Sequence, residues 1–147
     1  MISCLGKHTG RVLVIALERG ELLLESIEEE CRKAGFQYAT VETAVGTLQK
    51  TVYHRVLTLE RKSTQYFETL ETPIELGNID GIIAEGHAHL HFAASDPEKS
   101  YVAHLEYGCE VLYLAEIVLA ELEPMSIGRR KNELGQNLMA RLDGEKE

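Results

Sequence analysis

The sequence has little positive charge, few cysteines and no long apolar run. Each shortage narrows what the chain does. Lysine and arginine number 15 against 24 acidic residues, for a net charge of −9. A phosphate backbone repels such a chain unless its basic residues cluster. The acidity itself reads as a solubility feature. The three cysteines, Cys4, Cys31 and Cys109, are odd in number and far apart, and they form no CxxC pair. They give no disulfide framework and fit a reducing cytosol. No apolar segment is long enough to span a bilayer, and the run Val12 to Leu17 lacks the small-residue cleavage site of a secretory signal. A cytoplasmic protein without a membrane partner is expected. P-loop, dinucleotide fingerprint and nucleophile elbow are all missing.

What is present is one globular domain's worth of chain, 147 residues of which 44% are hydrophobic. Residues 1–10 read as a lead-in. Arg11 to Leu17 is a nearly all-apolar run bounded by glycines, which predicts a strand buried on both faces. Over Glu21–Ala34, Leu23, Leu24, Ile27 and Cys31 recur at helical spacing. Acidic residues fill the early turns, Arg32 and Lys33 the last, and Gly35 stands at the C-cap. Strands are expected at Phe36 to Val45, then, after a break at Gly46, at Leu48 to Leu59. Further short strands are expected at Gln65 to Leu70 and Ile74 to Ile79, with a turn at Asp80-Gly81. Ile82 to Ala94 and Tyr101 to Leu105 form a hairpin across Asp96-Pro97. Glu110 to Leu122 has the periodicity of a buried helix or strand, and its strand-dense context favours a central strand. Residues 124–147 change composition. Leu134, Leu138 and Leu142 recur every four residues and suggest a short amphipathic helix. One helix among many strands makes an α+β fold with a largely antiparallel sheet, its core domain spanning residues 11–123.

The chemistry concentrates in His87-Ala88-His89-Leu90-His91. On a strand these three imidazoles share one face. If Asp96 to Lys99 make a four-residue turn, Ser95 faces Ser100, His91 faces His104 and His89 faces Glu106. Opposed residues lie about 4.5–5.5 Å apart, and His89 and His91 lie about 7 Å apart along the strand. Three rings so placed reach one ion with nitrogen ligands at about 2.0–2.1 Å. Zinc suits His89, His91 and His104 with an open fourth position, and nickel, cobalt and iron remain open. His87, about 13 Å from His91 along the strand, is left to a supporting role around the ligands or to a neighbouring subunit. Glu106 and Glu116 are the candidates to orient ligands or accept a proton. Glu116 interrupts an apolar strand, so it is expected to be buried and paired with an arginine or histidine. Cys109 reads as a small buried hydrophobe. His8 and His54 stand alone and are given no role.

Several stretches together resemble the plant and prokaryote conserved (PPC) domain. They are Val12-Leu-Val-Ile-Ala-Leu17 with Arg19-Gly20-Glu21, Gly46-Thr47-Leu48, and Glu75-Leu76 with Gly81-Ile82-Ile83. The most specific is the block His89-Leu90-His91, Ser95-Asp96, His104-Leu105 and Ala115-Glu116-Ile117-Val118. The resemblance runs from about Arg11 to Leu122. It implies a curved antiparallel sheet assembled as a homotrimer, and zinc on the histidines of this block, as in some prokaryotic members. The chain departs from the pattern in three ways. Val102-Ala103 replaces the usual two glycines before His104, His87 is an extra histidine, and the AT-hook core Arg-Gly-Arg-Pro of plant members is absent. The missing AT-hook and the net charge make specific DNA binding doubtful. Three functions stay open: a metal-binding homotrimer of unassigned role, a DNA-binding or regulatory protein as the family label suggests, and a metal-dependent hydrolase or lyase acting on a small molecule at the metal.

Overall fold

A computed structural model of the chain describes residues 1–142. Nine strands and one helix are found among them: β1 (His8–Glu18), α1 (Leu23–Ala34), β2 (Ala39–Val56), β3 (Gln65–Leu70), β4 (Ile74–Ala84), β5 (His87–Ser95), β6 (Ser100–Leu105), β7 (Glu110–Leu122), β8 (Ile127–Lys131) and β9 (Asn137–Arg141). The α+β class with one helix on an antiparallel sheet is what the composition and periodicity predict.

The sheet runs β1-β7-β2-β4-β5-β6, with β3 attached to β2. It does not end at β6. Tyr53 and His54 of β2 pair with Leu105 and His104 of β6, so β2, β4, β5 and β6 close into a small barrel. The length of β2 makes this geometry available. Its first half pairs with β4 and β7, and its second half with β3 and β6. The barrel interior holds Leu76, Ile79, Leu90, Phe92, Leu105 and Tyr53, each nearly or wholly inaccessible. The helix covers the other apolar surface. Leu23, Leu24, Ile27 and Cys31 are buried, and the helix sits against β1 and β7. Burial of Leu23 and Ile27 contributes roughly 2 kcal/mol each.

Four expectations change. Gly46 does not break the strand. A side chain there would stand 2.5 Å from Leu114 O and 2.6 Å from Ala115 Cα, so the residue is glycine because β7 passes too close for a Cβ. Asp80-Gly81 is not a turn, because β4 continues through it to Ala84, and the strand expected over Ile82 to Ala94 is divided at Glu85-Gly86, with its histidine part starting at His87. The first strand is not buried on both faces: Ile15 and Leu17 are in the core, whereas Val12 and Val14 are 59% and 68% exposed. The tail does not form the expected helix. Residues 127–141 make the β8–β9 hairpin, turned by Asn132, whose Oδ1 accepts from the Leu134 and Gln136 amides at 3.0 and 2.9 Å. Gly135 follows in a positive-φ conformation. This hairpin is anchored to the domain through buried Ile127, whose carbonyl accepts from Tyr38 Oη at 2.9 Å. The last residues of the tail, 143–147, lie outside the described residues.

Candidate metal centre

The histidine strand begins where β4 turns back. Glu85 and Gly86 both take positive φ, 53° and 76°, the backbone of a two-residue hairpin turn. His87 is thereby set opposite Ala84, and alternation does the rest. Leu90, Phe92 and Ala94 enter the barrel core, while His89 and His91 point out of it. The next turn fixes the partner strand. The Asp96 amide donates to Lys99 O at 3.0 Å, and Asp96 Oδ1 accepts from the Glu98 and Lys99 amides at 2.7 Å each. The carboxylate also accepts from Tyr101 Oη at 2.6 Å. These bonds lock Ser95 against Ser100 and so His91 against His104.

The outcome is a packed cluster of imidazoles on the outer face of the barrel. Ring centroids of His89 and His91 lie 5.3 Å apart, those of His89 and His104 4.7 Å, and those of His91 and His104 5.1 Å. The ring nitrogens that these three residues offer all fall within 4.8 Å of one another. His104 Nδ1 is 3.4 Å from His91 Nε2. Two nitrogens on one tetrahedral zinc at bond lengths of about 2.0–2.1 Å stand about 3.3 Å apart. A proton or a cation must lie between two such lone-pair atoms, and the donor set is one that a borderline-soft divalent metal accepts.

Electrostatics favour the same state. Burial, reinforced by the charges that His54, His89 and His91 would carry, lowers the His104 pKa from 6.5 to about 4. The His89 pKa is lowered first by burial, then by the Arg129 charge. That of His91 is lowered by burial and then by His54. All three rings are therefore neutral near neutral pH, the form that ligates a metal.

The other candidates separate. Glu106 is at the cluster, with its Oε1 3.9 Å from His104 Nε2. His54, given no role by its isolation in the sequence, is there too. Its Nδ1 lies 2.5 Å from Glu106 Oε1. No local pattern announces this, because the contact exists only once β2 closes on β6. Glu116 is elsewhere. It is exposed rather than buried, and its neighbours across the two ladders are Ala16 and Val45. The ion pair expected for it is not formed among the described residues. His87 is not in the cluster; it lines two other hollows, one with Glu28 and Tyr107 on the helix side and one with Glu85, Arg129 and Asn137 on the side of the C-terminal hairpin. Cys109 is buried in the core, with its thiol pushed up to about 11 by desolvation. It is no ligand or nucleophile.

Beside the cluster opens a cleft of about 570 Å³, lined by His54, His89 and His104 on one side and by Arg129, Gln136 and Leu138 on the other. The second wall is the C-terminal hairpin.

Comparison with known proteins agrees with this architecture. The sequence model of the family described as the Plants and Prokaryotes Conserved (PCC) domain matches residues 5–123. A plant- and prokaryote-conserved protein from Pyrococcus horikoshii superposes with a TM-score of 0.77 at 28% identity, over 97% of this chain and 99% of that one. A metal-containing protein from Archaeoglobus fulgidus superposes at 0.82 with 22% identity, over 96% and 100%. A third, from Bacteroides thetaiotaomicron and provisionally named for DNA binding, gives 0.75 at 16% identity, over 94% and 97%. In sequence, the chain is 30% identical over 112 residues to the bifunctional protein GlmU of Synechococcus sp. (strain JA-3-3Ab). That stretch is 76% of this chain and spans 17% of GlmU.

Proposed function

The chain belongs to the Plants and Prokaryotes Conserved domain family, and from that premise we propose that it is a homotrimeric metal-binding protein. His89, His91 and His104 hold a divalent transition metal, zinc before nickel, cobalt or iron. The observation that carries this reading is the 3.4 Å approach of two ring nitrogens on neighbouring strands, with a third ring beside them. The metal-containing relative from Archaeoglobus supports it. A metal on three imidazoles supplies a Lewis acid with one open coordination position. Glu106 lies 3.9 Å from His104 Nε2, on the side of the ring away from the Nδ1 that faces His91, and His54 fixes the Glu106 carboxylate. The domain proper is taken as residues 11–123, with 1–10 as lead-in. Free cysteines suit the reducing cytoplasm in which we place it.

The cleft favours a second reading, metal-dependent chemistry on a small molecule, over the DNA-binding one. Its volume is in the range of small-molecule sites, whereas the charge of −9 opposes a nucleic acid.

Elemental analysis of purified wild type against His91→Ala and His104→Ala tests the metal reading. Wild type should carry about one ion per chain and the variants little. Equal metal in all three defeats it.

A further inference from the structure

Arg129 makes no ion pair among the described residues, although Glu85 lines a neighbouring hollow with it. Its neighbour Arg130 is paired with Glu85 at 2.8 Å. Among the described residues no carboxylate lies within salt-bridge distance of Arg129. Its Nε is buried and has no hydrogen-bond partner among them. Desolvation pushes its pKa below the ordinary arginine value. Burying a guanidinium without a partner is costly, and the cost is offset when an anion fills its donor fork. Arg129 lines the cleft, and its charge reaches His89 and His104, whose protonation it disfavours.

The rest of the cleft says what kind of anion fits. Lys62 adds a second positive charge. Gln65 and Asn137 add polar groups, and Val56 and Leu138 an apolar flank. Among the described residues no aspartate or glutamate lines it. In a chain with 24 acidic residues this is a local inversion of charge. The Nε is sealed from solvent, so an anion in the cleft meets the guanidinium at its Nη end, where two N–H groups run parallel at the spacing of two oxygens on one carboxylate or phosphate.

We propose that the cleft binds a small organic anion, with its carboxylate or phosphate group on the Arg129 fork, its carbon frame along Val56 and Leu138, and its other end at the histidine cluster. This rests on the small-molecule reading of the cleft and names its ligand class. Arg129 lies on β8, outside the residues 5–123 that the family model matches.

The test is calorimetric titration of succinate and of glycerol phosphate into zinc-loaded and chelator-stripped protein, with metal content measured on the same samples. Wild type should bind at least one probe at millimolar concentration or better. Arg129→Gln should lose about tenfold or more in affinity, the scale of a charge-assisted bidentate contact, while keeping its metal. Arg129→Lys, which keeps the charge but not the fork, should recover only part. The probe bound more tightly identifies the anionic group. Should Arg129→Gln fail to fold, phenylglyoxal labelling of wild type gives the same answer: the bound probe should slow modification of Arg129, mapped by mass spectrometry. Unchanged affinity in the variant, unchanged labelling, or no binding of either probe overturns the proposal. Zinc-loaded protein that ignores both anions defeats this inference and leaves the metal reading standing. Protein without metal that binds an anion through Arg129 does the reverse.

Discussion

His54 stands directly across from His104 in the β2–β6 ladder, and their ring centroids are 4.3 Å apart. The two residues are fifty positions apart in sequence, and the closure of the barrel makes them neighbours. Both face Glu106, whose carboxylate lies 2.5 Å from His54 Nδ1 and 3.9 Å from His104 Nε2. A carboxylate behind a ligating histidine fixes the tautomer and raises ligand basicity. His54, His104 and Glu106 also bring ligand atoms within 4.8 Å of one another; on the three-histidine assignment proposed above, His54 would be one step removed from the ion and would act by holding Glu106.

His54→Ala should accordingly weaken metal binding without abolishing it. Partners behind a ligand are worth about 10–100-fold in affinity, and the lower end is expected because His54 acts through Glu106. Competition against a chromogenic chelator measures this. His87→Ala, whose side chain lines other hollows, is the matched control and should behave as wild type. A loss in His87→Ala as large as that in His91→Ala would reverse the assignment.

Acid should affect the site in a defined window. The His104 pKa is lowered in the folded chain from 6.5 to about 4, and the His89 and His91 pKa values are lowered in the same direction. The unfolded chain takes up protons on these residues below pH 6.5, before the folded one does. The stability of the metal-free protein that depends on this cluster is therefore complete above about pH 6.5 and is lost progressively as pH falls towards 4. Urea midpoints across that range should drop in wild type and drop less in His104→Ala. Metal adds to the dependence, since protonated rings do not ligate. The chelator-stripped and metal-loaded curves should then converge at low pH.

Much of this arrangement is legible in the sequence, for physical reasons that can be named. Alternation puts His89 and His91 on one face, and Asp96 with Pro97 fixes a turn that counts outward to His91 opposite His104. Both are local rules. Helix α1 is legible because its periodicity, end charges and C-cap glycine agree. What is missed is non-local or locally ambiguous. The pairing of β2 with β6 depends on how far a long strand bends, which no window of residues records. The turn at Glu85-Gly86 is hidden because glutamate is an unusual residue at positive φ, while Asp80-Gly81 carries the more familiar signal. In the tail, leucines four apart imitate a helix, and the Asn132 turn decides otherwise.

Gly46 supplies a prediction about the frame rather than the site. Both atoms that an added Cβ would strike nearest, Leu114 O and Ala115 Cα, are backbone, so relief requires β7 to move. Gly46→Ala should cost roughly 1–3 kcal/mol, the usual range for overpacking, read as a lower urea midpoint. An unchanged midpoint would show that β2 and β7 yield at no cost.

Specific DNA binding is expected to be weak or absent. A trimer would carry about three times the chain's net charge of −9, and phosphate contacts supply most non-specific affinity. Anisotropy titration with duplex DNA in moderate salt should show no sub-micromolar binding. Tight binding would point to a clustered basic surface and restore the regulatory reading.

Trimerisation is the remaining prediction, and the exposed face of β1 and β7 bears on it. Val14 is opposite Val118 and Val12 opposite Ala120, and directly opposed residues share a face. Val12 and Val14 are 59% and 68% exposed, and Leu114 and Val45 of the adjoining strands are exposed as well. Isolated apolar residues on a surface need no explanation, but a strip of exposed apolar residues across three strands, interrupted here by Glu116, is the kind of surface that subunit interfaces cover. Helix α1 covers only the opposite side of these strands. Size exclusion coupled to light scattering should give about three times the 16.5 kDa chain mass. Val14→Lys places a charge in the middle of the strip, where it projects into solvent in a monomer and would be desolvated in an interface. It should therefore shift the population to monomer at micromolar concentration while leaving the circular dichroism spectrum of the chain intact. A trimer that tolerates this lysine would mean that subunits meet elsewhere. A wild-type monomer would leave the strip unexplained.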